Sequence, residues 1–457
     1  MTDLAIRRRL FSGARAQLLN HVVMVVAQLA GIALFTAHWG LDLYGEWLIL
    51  AAIPAYLTAS DLGFVTASIN EMAMSVGRGD SAQAAAVLRA VSLLLMVVAV
   101  GVGALALPAC LLLPLDDWLN LDQIDSATVT LVLLVLAADV VAALYGRLLY
   151  GVLASQGLYA QGSNWITAII VAQTTAIAAV LILGGGPGAV AVAMLTARVL
   201  TTTAIYVFVR RQVPWVAAPD AAPAGARTVL RPLLAPSLAS GALPLGYALN
   251  LQGVLILVGV VSGSAAAAVF ATLRTVSRLL YTLLSALIAV ISPEIARAFA
   301  AGDVALVRRL HRGAVQLAVW AAAAALAFLA AFGSPMIELW TSGRIDSGGT
   351  LFLLFLVGAG VNALWFTSST VLVATNRHGP LAVRYLAICV LTLPAAYALL
   401  ELVGSEGAAI ALIGTELAMA VVVLRRALPA VSDTFGGLVM SLRPPTPAAV
   451  RSLVRSG

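Results

Sequence analysis

Six ionisable residues fall inside otherwise apolar runs of this sequence: Asp61, Asp139, Arg198, Arg274, Arg278 and Glu416. An ionised side chain near the middle of a hydrocarbon span costs about 2.5–3.5 kcal/mol on insertion scales, so it faces a wet cavity or a partner. Arg274 and Arg278 are one helical turn apart and share a face. Their planar guanidinium groups suit paired donation to a phosphate or an acidic sugar. Arg198, Arg274 and Arg278 are therefore the candidate substrate-binding residues. The acids Asp61, Asp139 and Glu416 are the candidates for gating or ion coupling. For each of the six, an inert pair between helices is the competing account. Arg147 and Arg384 lie near span ends, where a long side chain snorkels to water.

Other chemistry is poorly served. The sequence has no lysine, so a Walker A loop is excluded, and no loop is long enough for a nucleotide-binding domain. Cys110 and Cys389 stand alone in apolar runs, and His21, His38, His311 and His378 are scattered, without zinc or disulfide spacing. The loop PLDDWLNLDQIDS (114–126) gathers Asp116, Asp117, Asp122 and Asp125, oxygen ligands a divalent ion would accept, although a solvated acidic loop explains them more simply. GGGPG (184–188) reads as a tight turn. Neither an enzyme nor a cofactor or metal is expected.

The elements that must position these residues are membrane helices. The chain of 457 residues is 62% hydrophobic and 10% charged, with a mean hydropathy of +1.03. Apolar runs of about twenty residues recur throughout, as continuous Leu/Val/Ala tracts and not as alternating strands. An all-α polytopic membrane protein follows, with about twelve spans near 17–38, 44–75, 86–113, 127–152, 162–184, 187–209, 233–260, 264–292, 313–333, 350–374, 381–402 and 406–425. The basic start MTDLAIRRRLFSGARAQ runs into the first span without a cleavage signature, so no cleavable signal peptide is expected.

Arginine sets the orientation. One side collects Arg7, Arg8, Arg9, Arg15, Arg78, Arg89, Arg210, Arg211, Arg227, Arg231, Arg297, Arg308, Arg309, Arg312, Arg377, Arg425, Arg426, Arg443, Arg451 and Arg455, whereas the opposite loops hold Arg344 alone. The positive-inside rule then puts both termini in the cytosol, in agreement with an even number of spans. The net charge of +6 is accounted for by topology, without a nucleic-acid partner. DVALVRRLHRGAV (303–315) reads as a basic amphipathic helix on the inner leaflet.

The chain also repeats itself. A shift of 223 positions carries Glu71 onto Glu294, Gly79-Asp80 onto Gly302-Asp303 and Arg89 onto Arg312. Because the shift covers six spans, the two copies enter the membrane in the same direction, which implies two six-helix lobes related by a pseudo-twofold axis along the membrane normal. The expected organisation is an N-terminal lobe 1–209, a cytosolic linker 210–231, a C-terminal lobe 232–425 and a basic tail 426–457. Recurring residues are most simply scaffold. Asp61 does not recur, since Leu284 stands at its repeat position, and that asymmetry marks it for a task.

The stretch LYGEWLIL…YLTASDLGFVTASINEMAMSVGRGD, the twelve spans in two lobes and the RRQ connector resemble the Wzx-type polysaccharide flippases of the multidrug/oligosaccharidyl-lipid/polysaccharide (MOP) superfamily. The resemblance covers nearly the whole chain and is carried most by Asp61 to Phe64 and the elbow that follows. It implies a bacterial inner-membrane carrier that turns undecaprenyl-pyrophosphate-linked oligosaccharide units from the cytosolic to the periplasmic leaflet by alternating access, for O-antigen, capsule or exopolysaccharide. It also implies a cargo cleft lined largely by helices 1, 2, 7 and 8, contact with membrane lipids, and a polysaccharide polymerase and glycosyltransferases as pathway partners. One rival is a cation-coupled multidrug antiporter of the MATE type. Some of those carry an acid in the first helix, and QLLNHVVMVVAQLAGIALF has none. The other rival, a membrane glycosyltransferase or polymerase, would need a larger outer loop than GSPMIELWTSGRIDSG (333–348).

Overall fold

A computed structural model describes residues 3–443 apart from 60, 62, 218–224, 347–348 and 376–378. Leu62, Asp220 in the expected linker, Arg377, His378, and Arg451 and Arg455 of the tail thus lie outside the described residues. Among those described there is no strand, as the apolar, uninterrupted runs require. In chain order the helices are α1 Asp3–Ala55, α2 Phe64–Gly77, α3 Ser81–Leu112, α4 Leu115–Leu119, α5 Ser126–Ser155, α6 Tyr159–Ile182, α7 Pro187–Gln212 and α8 Pro214–Ala217. They continue as α9 Ala226–Ala248, α10 Val254–Ser262, α11 Ser264–Ala300, α12 Val304–Trp340, α13 Thr350–Ala374, α14 Gly379–Val403, α15 Ser405–Ala430 and α16 Phe435–Ser441.

Among the described residues 11 helices are long and apolar enough to cross a membrane. The difference from twelve has a local cause. The first two expected spans run together as α1, which turns at Gly40 (φ 75°, ψ −171°) without a loop. The second expected span, 44–75, is not one helix. Beyond Pro54 the chain tightens into a 3-10 turn at Tyr56–Ala59, passes Asp61 and the left-handed Gly63 (φ 80°), and restarts as α2. Likewise the seventh expected span is interrupted by a π turn at Leu249–Gly253 between α9 and α10. The stretch 303–315 is the opening of α12, not a separate surface helix, and His311 within it is fully buried.

The backbone repeats as the sequence does. A shift of 223 takes Gly40 to Gly263 (φ 92°) and Gly79 (φ 79°) to Gly302 (φ 74°), all in the left-handed region that a side chain disfavours. After each elbow an aspartate caps the next helix: Asp80 accepts from the Gln83 N–H at 2.9 Å and Asp303 from the Leu306 N–H at 2.8 Å. Before each elbow a glutamate pairs with an arginine, Glu71 with Arg78 and Glu294 with Arg297.

The chain divides into two compact units, Met1–Ala268 and Val269–Gly457. In unit 1 an apolar core joins Val65 and Met72 of α2, Val87 and Val91 of α3, Leu148 and Val152 of α5, Ile205 of α7 and Leu233 of α9. α9 packs on α2 and α3, and α10 on α1, so both belong with this unit. A Cβ on Gly45 would stand 1.8 Å from the Ser264 carbonyl oxygen, so only glycine permits that approach. In unit 2 Leu280 and Leu284 of α11 meet Ala318 and Ala322 of α12 and Ala363 of α13. The short α16 is fastened to α12. Arg312 donates from Nε to Asp433 at 2.8 Å, Arg308 to the Ser432 carbonyl at 3.0 Å and the Trp320 indole to the Leu442 carbonyl at 2.9 Å. The Arg312 guanidinium holds the Asp433 carboxyl below the usual carboxylate range.

Candidate functional site

Unit 1 brings two of the six residues together. Arg198 of α7 donates from Nε to Asp139 of α5 at 2.7 Å, and its Nη2 donates to Gln173 Oε1 of α6 at 3.0 Å. The Gln173 amide in turn donates to Asp139 at 3.0 Å and to the Met194 carbonyl at 3.2 Å. Three helices are thus tied by an ion pair whose two charges cancel, with side-chain exposures of 18% for Arg198 and 8% for Asp139. Arg198 and Gln173 face a cavity of about 550 Å³ lined by α1, α2, α5, α6 and α7. Gln173 escaped the sequence reading because an amide in a helical run gives no charge signal, and its partners sit on other helices.

Unit 2 holds Arg274, Arg278 and Glu416. Arg274 lies over the Phe270 ring, 5.4 Å from its centroid, and Arg278 over Tyr281 at 5.5 Å. Each is a cation–π contact within α11. Glu416 of α15 accepts from Asn362 Nδ2 at 2.9 Å and from the Trp365 indole at 2.6 Å, both on α13. Glu416 also interacts electrostatically with Arg278, although no salt bridge joins them among the described residues.

Asp61 is buried in unit 1. One carboxylate oxygen accepts from the Val65 N–H at 2.8 Å, the other from the Gly63 N–H at 3.2 Å, and its carbonyl accepts from the Phe64 N–H at 2.9 Å. The side chain therefore closes the N-terminus of α2, where a negative charge is favoured by the helix dipole.

Two further buried polar groups were not anticipated. Glu46, within LYGEWLIL, accepts from the backbone N–H groups of Asp122 at 2.8 Å and Gln123 at 2.7 Å, and so anchors the acidic loop to α1. Within that loop Ser126 hydrogen-bonds Asp116 and Thr128 hydrogen-bonds Asp125, which holds both carboxyls below their usual range. Neither nitrogen of the fully buried His311 has a hydrogen-bond partner among the described residues. No group of three His, Cys, Asp or Glu that could hold a metal ion occurs among the described residues.

These features define an all-α, polytopic membrane fold. No family model and no curated protein matches the sequence. Solved structures do. An inward-facing multidrug resistance MATE family transporter of the MOP superfamily matches with a TM-score of 0.71 at 18% identity, over 89% of this chain and 94% of that one. The outward-facing form of such a transporter matches with a TM-score of 0.64 at 18% identity, over 92% and 95%. A MATE structure in complex with MaD3S matches with a TM-score of 0.66 at 18% identity, over 92% and 96%. At this identity the likeness is one of fold.

Proposed function

We propose that the chain is an alternating-access transporter of an anionic, lipid-linked headgroup, in the manner of the polysaccharide flippases its sequence resembles, with undecaprenyl-pyrophosphate-linked oligosaccharide as cargo. The observation that carries this reading is the pair Arg274 and Arg278, one turn apart in a membrane helix, each resting on an aromatic ring. A planar guanidinium donates paired hydrogen bonds to a diphosphate or uronate, and two of them one turn apart present that chemistry twice on one helix. A carrier of organic cations gains nothing from that patch. The MATE-like fold supports transport by alternating access, as inward- and outward-facing forms of it exist among the matched structures.

Coupling is assigned to Glu416. Asp139 is neutralised by Arg198 and Asp61 is engaged with backbone amides, whereas Glu416 makes no salt bridge among the described residues, accepts from Asn362 and Trp365 and meets Arg278 only at longer range, which leaves it open to taking a proton or small cation. That acid is also the observation that favours the second reading, a cation-coupled multidrug antiporter. Proteoliposomes decide between them. Wild-type protein should flip an undecaprenyl-pyrophosphate oligosaccharide, and Arg274→Ala/Arg278→Ala should lower the rate at least tenfold, with Lys restoring little because it lacks the planar fork. Wild-type flipping by the double variant, or efflux of organic cations in place of flipping, would overturn the reading.

A further inference from the structure

We infer that a groove of about 570 Å³ between the Arg15 end of the first membrane span and the start of α6 is a binding site for one anionic diacyl phospholipid of the surrounding leaflet. Its phosphate meets Arg15, and an acyl chain runs along Leu18, Leu19 and Val22. The site lies within unit 1 and depends neither on the α11 arginines nor on what the carrier moves.

The walls are held in place by contacts behind the groove. Gln17 of α1 accepts from Ser163 of α6 at 3.0 Å, and Asn20 donates to Thr167 at 3.2 Å, so the two helices keep a set separation. Ala16 and Ala160 extend no further than a methyl group and leave room between them. Arg15, Leu18, Leu19 and Val22 follow the i, i+3, i+4, i+7 spacing that puts them on one face of α1. The three aliphatic side chains are each more than half exposed, an apolar face with no protein cover among the described residues. Asn164 lines the groove from α6.

The order of these residues along the groove is that of a phospholipid. Arg15 opens the first membrane span, and Val22 lies about 10 Å further on at 1.5 Å per residue. The charge therefore sits at headgroup level and the aliphatic face at hydrocarbon depth. Arg15 is exposed and in no salt bridge among the described residues, and the Asn164 side chain makes no hydrogen bond among them. A phosphodiester offers oxygens to the guanidinium fork, and the adjoining ester carbonyls accept from the amide.

Other occupants leave part of this lining unmatched. Free phosphate would not cover the aliphatic face, and a sugar chain would set hydroxyls against it. Phosphatidylcholine brings a cation of its own towards Arg15. A lipid pyrophosphate carries more negative charge than the one arginine of the lining offsets, whereas a phosphodiester carries a single charge. An anionic leaflet also attracts arginines placed just outside a span.

The test is native mass spectrometry of the full purified chain, stripped of lipid in detergent and then offered phosphatidylglycerol or phosphatidylcholine with the same acyl chains. Wild type should retain one phosphatidylglycerol per chain more than Arg15→Gln does, and Arg15→Lys should keep that lipid because the charge remains. Phosphatidylcholine should occupy the site at least tenfold more weakly. Phosphatidylglycerol should also raise the thermal midpoint of the wild type by more than that of Arg15→Gln, since a ligand stabilises the state that binds it. Arg274→Ala/Arg278→Ala should leave the lipid count unchanged, so that failure of the flippase reading and failure of this site are distinguishable. Equal lipid counts in wild type and Arg15→Gln, or equal retention of the two lipids, overturns the proposal. So does release of the lipid by inorganic phosphate, or its displacement by undecaprenyl phosphate at a tenfold lower concentration, which would make the groove a free-phosphate or a cargo site. Arg15 is exposed, so its variants are expected to fold. A matching thermal midpoint without lipid checks this, and Arg15→Lys separates loss of charge from loss of fold.

Discussion

Arg198 is the twelfth residue of α7 and Glu416 the twelfth of α15, two helices of 26 residues each. Their partners correspond as well, since a shift of 223 carries Asp139 onto Asn362. In unit 1 that position joins an arginine to an aspartate, whereas in unit 2 it joins a glutamate to an amide and an indole. Helices in corresponding positions, α5 with α7 and α13 with α15, are thus joined by a polar contact in each unit, with different charges. In unit 1 that contact is balanced within itself. In unit 2 the acid has no salt bridge among the described residues, and the nearby arginines lie over aromatic rings. Where the copies agree, in their elbow glycines and capping aspartates, they build scaffold. Where they differ, the same pair of helices is joined by a different set of charges.

The largest expected effect comes from breaking the balanced side. Asp139→Ala would leave Arg198 without its counter-charge, and loss of one partner of a buried pair costs about 3–5 kcal/mol. The thermal midpoint of the purified protein should drop markedly, and Arg198→Ala added to it should recover part of the loss. If Asp139→Ala leaves the midpoint unchanged, the pair is not structural and the contrast between the units fails.

The shared scaffold should respond alike in both copies. Gly79→Ala and Gly302→Ala each force a side chain into the left-handed region at about 1–2 kcal/mol. The space around both is open, so strain is the only cause, and the two variants should match in stability. A difference larger than the strain itself would break the equivalence of the elbows.

Asp433→Asn tests an ion pair of Arg312 that its repeat counterpart Arg89 does not make among the described residues. Arg312 is about a third exposed, so screening reduces the pair to about 1–2 kcal/mol at neutral pH. Because Arg312 holds the Asp433 carboxyl below its usual value, that stability is present above the ordinary carboxylate pKa of about 4. It is lost as pH falls through the lower native value, so the variant and wild type should converge in acid. A gap that persists there would show that the pairing is not the cause. The smallest effect is that of Asp61→Ala, about 1 kcal/mol for a lost helix cap, with Asn restoring most of it.

Much of the fold was legible because membrane helices announce themselves by composition and length, and because the elbow Gly-Asp pairs carry their own backbone conformation. The breaks were less so. Gly40 and Pro54 are visible in sequence, yet nothing local says that the first bends a continuous helix while the second ends one. The deep charges were found by their cost in an apolar run, but their partners were not. Asp139, Gln173 and Arg198 lie on three helices, and Glu416 meets Asn362 and Trp365 across two, contacts that no spacing within a helix encodes. Glu46 was passed over because it lies near the start of the second expected span, and its role depends on a loop some 76 residues away.

The central claim is that unit 2 carries the coupling charge, and Glu416→Gln tests it most directly. The amide still accepts from Asn362 and Trp365, so the protein should stay folded. In proteoliposomes loaded with an undecaprenyl-pyrophosphate oligosaccharide, flipping is measured against an imposed pH gradient. The account predicts that the variant flips its cargo at a rate that no longer responds to the gradient, whereas a gradient response equal to that of the wild type would contradict it.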